Sequence, residues 1–96
     1  MAKQRRTQVN QRARDGVSAL ATAVRRRRKA LRLTQEELAR YAGCGLAFLY
    51  QLENAKATVR LDKVLDVLEV LGLGLRVVEG RARLSVEPAD LREGEP

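Results

Sequence analysis

The sequence contains no histidine and no tryptophan, and a single cysteine, Cys44. Without histidine the commonest general base and metal ligand is missing, and with it every Ser-His or Cys-His dyad. A lone thiol cannot close an intramolecular disulfide, so a disulfide-stapled secreted scaffold is excluded. Nor can one cysteine and no histidine supply the four ligands of a structural zinc site. No metal and no cofactor is therefore expected, and no constellation suits any class of enzymatic reaction. Long apolar runs are also missing: nothing nears the ~20 residues a membrane helix needs. The N-terminus is basic but lacks the apolar stretch of a signal peptide. The expectation is a soluble, cytoplasmic protein with no membrane partner.

What is present fits one small domain. Of the 96 residues, about sixty-five read as folded core, too few to bury much apolar surface, so a homodimer is expected. The net charge is +7, unevenly placed: residues 1–32 carry +10, residues 33–80 carry −2 and residues 81–96 carry −1. A basic N-terminal third is a common nucleic-acid footprint, although such an arm also suits RNA or a membrane.

Along the chain, residues 1–16 are polar and basic and read as a flexible arm. From Val17 the positions Val17, Leu20, Val24, Arg28 and Leu31 recur at three- and four-residue steps, which predicts a first helix with Arg28 as a charge on its apolar face. Thr34-Gln35-Glu36-Glu37 is a capping-box pattern that opens a second helix running to about Ala42. Gly43-Cys44-Gly45 stops it, and a third helix follows from Leu46 to about Asn54 with Leu49 and Leu52 inward. A fourth covers about Leu61 to Leu71, with Leu61, Val64, Leu65, Leu68 and Leu71 on one stripe and Val67 and Val70 on a second. A helix apolar on two sides is buried twice, the second time against another copy. Residues 73–86 read as one or two short strands, and residues 87–96 as a disordered acidic tail. The boundaries expected are thus 1–16, 17–72, 73–86 and 87–96.

Residues 34–54 form the informative unit: a capped helix, a glycine turn and a second short helix. Ala39 is the small residue needed where the two helices pack closely, and Leu49 and Leu52 fix one across the other. That arrangement leaves the start and one flank of the third helix free to enter a major groove.

The segment from Leu33 to Gly43, followed by Phe48-Leu-Tyr-Gln-Leu-Glu-Asn54, resembles the Xre/Cro-type helix-turn-helix of phage repressors. Thr58 to Leu65 and Leu71-Gly-Leu-Gly-Leu75 resemble the HipB-like antitoxin branch, whose C-terminal strand joins two protomers. The resemblance covers about residues 17–79. It implies a mainly all-α, lambda-repressor-like four-helix domain with a short C-terminal β-strand pairing across a dimer. It further implies a repressor of a palindromic operator in double-stranded DNA, and an antitoxin holding a HipA-like kinase toxin and autoregulating its operon. A stand-alone phage-type or controller-type repressor is the alternative, with RNA binding behind both.

Carried over residue by residue, the resemblance puts Gln35 on a phosphate beside the second helix's N-terminus. Gly45, Leu46, Ala47, Tyr50 and Gln51 take groove-facing positions, and Asn54, Lys56 and Thr58 the loop that meets the backbone. Arg28 and Glu53 become a structural ion pair, and Val67, Val70, Leu73, Leu75 and Val77 the dimer interface. Gly45, Leu46 and Ala47 stand where the family usually has polar side chains. Apolar groups contact a thymine methyl but cannot make bidentate bonds to bases, so direct readout falls on Gln51 and Tyr50. Ala55 replaces a common glycine. The run Arg25 to Lys29 reads equally as a phosphate clamp or as a solvated helix face, since five successive helical residues cannot all face one ligand.

Overall fold

Four α-helices form where the sequence punctuates them: α1 Ala2–Ala30, α2 Gln35–Ala42, α3 Leu46–Glu53 and α4 Leu61–Leu71. The computed structural model describes residues 2–80 and 83–87, with side chains from Gln11 onward apart from Ala13. Val24 of α1, Leu38 and Ala39 of α2, Leu49 and Leu52 of α3, and Val64, Val67, Leu68 and Leu71 of α4 share one buried core. α4 lies against α2 and α1, and α3 is held between α1 and α2.

The helical pattern does not start at Val17. Residues 2–16, expected as a flexible arm, continue α1 without a break. Alanine, lysine, glutamine and arginine dominate this stretch, all strong helix formers, and no proline interrupts it. Gly16 is the weakest helix former of the stretch, and it is buried. A Cβ added there would lie 2.8 Å from the Cβ of Leu84, so glycine lets residues 83–87 cross α1 at close range.

The phase of α4 also differs. Its inward stripe is Val64, Val67, Leu68 and Leu71, all 2% exposed or less. Val67 is fully enclosed by its own chain and so cannot lie in a dimer interface. Leu61 and Leu65 face outward instead, at 62% and 46%. The helix has one inward stripe where the sequence suggests two: positions 64, 67, 68 and 71 follow the 3.6-residue period, and 61 and 65 fall beside it. Val70 and Leu73 are half-buried against the core, while Leu75 and Val77 are exposed.

Among the described residues there is no strand. Residues 73–80 and 83–87 run without regular structure, where strands were expected over 73–86. A strand exists only beside a hydrogen-bonded neighbour, and the single chain offers this segment none. The tail expected over 87–96 lies outside the described residues except for Glu87.

Candidate nucleic-acid interface

The helix-turn-helix begins at a closed capping box. The Thr34 hydroxyl accepts from the Glu37 amide at 3.0 Å, and the Glu37 carboxylate accepts from the Thr34 amide at 2.9 Å. The backbone N–H of Thr34 holds the Glu37 carboxyl below the usual carboxylate range, helped by the hydroxyl and by Arg40. α2 ends on Gly43 in the left-handed conformation (φ 68°), and the Cys44 amide reaches back to the Ala39 carbonyl at 3.0 Å. Cys44 is half-buried, and desolvation pushes its thiol up, away from the thiolate. Among the described residues no group of three His, Cys, Asp or Glu side chains could hold a metal ion.

α3 starts at Gly45, which provides no side-chain cap. Leu49, Leu52 and Glu53 are buried, and Leu46 and Phe48 pack partly against the core. Gly45, Ala47, Tyr50, Gln51 and Asn54 are exposed. Their three- and four-residue spacings put Ala47, Tyr50, Gln51 and Asn54 on one helical face. Leu46 sits at its edge, half turned inward. Lys56 and Thr58 are exposed in the following loop, where Ala55 adopts φ 61°. Arg60 stands exposed at the start of α4 and pairs with Asp62 at 2.6 Å.

Behind this face lies a polar cluster centred on Glu53, itself 1% exposed. Arg28 binds it with both fork atoms, Nε to Oε2 at 2.7 Å and Nη2 to Oε1 at 3.0 Å, and sends Nη1 to the Leu33 carbonyl at 2.9 Å. Gln35 donates its amide to Glu53 Oε1 at 3.0 Å. The residue assigned to a phosphate is thus also tied to the ion pair, leaving one N–H and its carbonyl for outside partners. Among the described residues no buried side-chain polar atom lacks a partner.

Two further arginines close helix ends. Arg25 donates Nη1 to the Glu53 carbonyl at the end of α3, and Arg27 donates Nε to the Leu71 carbonyl at the end of α4, 2.8 Å away. Both put a cation at the negative end of a helix dipole. Sequence reasoning missed them because their partners stand 28 and 44 residues away.

Residues 24–78 match the helix-turn-helix family HTH_3. The chain belongs to the helix-turn-helix family. It is similar to an uncharacterized HTH-type transcriptional regulator, y4mF, of Sinorhizobium fredii, with 42% identity over 59 residues, covering 62% of this chain and 78% of the relative. It also resembles the solved structure of a protein called MDT Protein, with a TM-score of 0.61 and 26% identity, covering 68% of this chain and 92% of that one. Membership makes the chain a DNA-binding regulator of the helix-turn-helix type and not an enzyme. No helix among the described residues is long and apolar enough to cross a membrane.

Proposed function

We propose that the protein is an operator-binding repressor that reads DNA with the exposed face of α3. One observation carries this reading: Ala47, Tyr50, Gln51 and Asn54 share a solvent-facing surface while Leu49, Leu52 and Glu53 anchor the opposite side. Gln51 is the residue suited to an adenine, and Tyr50 and Ala47 offer apolar contact to thymine methyls. The uncapped amides at Gly45 and the start of α2 beside Gln35 face phosphates, and Lys56 and Thr58 extend that contact along the backbone. With so plain a helix start, DNA shape and phosphate contacts supply much of the specificity. Selection of bound sites from random duplexes, repeated with Gln51→Ala, tests the reading. Loss of preference at one position in each half-site supports it, and selection of no common sequence by the wild type refutes it.

The repressor acts as a homodimer on a palindromic site. Leu61, Leu65, Leu75, Val77 and Val78 are the exposed apolar residues that support this. The strand-like segment from Leu73 to Glu79 pairs across the two-fold axis, which gives its backbone the neighbour a single chain lacks. The resemblance of Thr58–Leu65 and Leu71–Leu75 to the HipB-like branch supports an antitoxin that holds a kinase-like toxin and autoregulates its operon. Co-expression with the neighbouring gene product tests this: recovery of the tagged protein alone leaves a stand-alone repressor.

A further inference from the structure

The structure divides the basic run at the end of α1. Arg25, Arg27 and Arg28 are bound to Glu53 and to the Leu71 carbonyl. Arg26 and Lys29 are exposed, one turn apart, and Arg32 is exposed just beyond the helix in the left-handed conformation (φ 60°). Among the described residues these three cations have no ion-pair partner. Arg25, Arg27 and Arg28 are each tied to a partner within the domain, which leaves Arg26, Lys29 and Arg32 as the cations of this run available to an outside ligand.

We infer that Arg26, Lys29 and Arg32 form a second phosphate-backbone contact for duplex DNA, outside the helix-turn-helix face. This rests on the DNA-reading proposal above and adds a surface to it. Position carries the argument. Arg28, one residue before Lys29, and Gln35, three residues after Arg32, both bind the carboxylate of Glu53. The end of α1 is therefore held rigidly beside the start of α2 and the end of α3, and its free cations continue outward from the phosphate contact assigned to Gln35. Arg26 and Lys29 are separated by about 4.5 Å of helical rise and Arg32 follows just past the helix end, so the three cations lie close enough together to meet neighbouring phosphates of one strand. Thr22, Ala23 and Ala30 flank the stripe, and Leu31, 40% exposed, is a single large apolar side chain among the three cations, so charge dominates this surface. The spacing serves charge neutralisation, without base readout.

The test compares wild type with the triple variant Arg26→Gln, Lys29→Gln, Arg32→Gln. Fluorescence anisotropy is read over a salt series on two duplexes of about 40 base pairs, one carrying a selected site and one of random sequence. Each phosphate that is no longer neutralised lowers the slope of log K against log salt by about 0.9. The expected result is a slope lower by about two to three on both duplexes, with the ratio between duplexes unchanged. A slope and affinity equal to wild type would overturn the inference and make the stripe a solvated face. So would unchanged duplex binding with a weakened affinity for single-stranded RNA of the same length. A wild type with no preference between the duplexes sinks the α3 reading, yet the slope change remains measurable beside it. A thermal melt of the triple variant matching wild type ensures that the slopes compare folded proteins.

Discussion

At the residue scale, Glu53 matters most. It is buried, it carries charge, and every bond that compensates its burial comes from another helix. Removing one partner of such a pair strands the other, which costs about 3–5 kcal/mol. Glu53→Ala should therefore remove most of the stability of so small a domain, and Arg28→Ala should remove a similar amount. Urea titrations of both and of the double variant check this: the double should lose clearly less than the sum of the singles. An additive double would mean that the two side chains act independently. Ala55 is the converse case, a residue under strain. Its φ of 61° suits glycine and disfavours a Cβ by roughly 1–2 kcal/mol, part of which the added freedom of the unfolded glycine chain cancels. Ala55→Gly should raise stability by about 0.5–1 kcal/mol in the same titration. A loss would show that the loop between α3 and α4 does not need the left-handed turn.

At the element scale, α2 depends on its start. Thr34→Ala removes the hydroxyl that accepts from Glu37 and should cost about 1 kcal/mol. The cap also has a pH signature. The folded pKa of Glu37 lies below its ordinary 4.5, so its contribution is fully present above that value. It fades as pH falls through the depressed folded value. Thermal melts between about pH 7 and pH 3 should show Glu37→Gln losing less stability on acidification than wild type, and equal losses would remove Glu37 from the effect. This helix was legible in the sequence because its signals are local: Thr34 and Glu37 lie three apart, and Gly43 ends the helix it follows. The ion pair was legible for a different reason. Arg28 sat on an apolar face and needed a partner, and the family resemblance supplied Glu53. The extension of α1 was not legible, because a polar segment with no apolar stripe carries no periodic signal, whether helical or not. The phase of α4 failed in the opposite way. Leu61, Val64, Leu65, Val67, Leu68, Val70 and Leu71 are so densely apolar that two registers fit, and only packing against α1 and α2 selects one.

At the scale of the whole molecule, the core leaves apolar surface uncovered. Leu61 and Leu65 on α4, and Leu75, Val77 and Val78 beyond it, remain in solvent, with Val77 98% exposed. A chain with a core this small gains from covering them, and a second copy offers both an apolar face and the missing strand partner. Folding coupled to such an association makes the melting temperature rise with protein concentration. The wild type should therefore melt at a higher temperature at high concentration than at low. Leu75→Glu combined with Val77→Glu should abolish that dependence while leaving the low-concentration melt unchanged, because neither side chain belongs to the core. Sedimentation equilibrium should report a monomer for the double variant and a dimer for wild type. If the double variant stays dimeric, the segment after α4 is not the seam and the exposed Leu61 and Leu65 must carry it. Leu61→Glu with Leu65→Glu would then be the pair that separates the protomers.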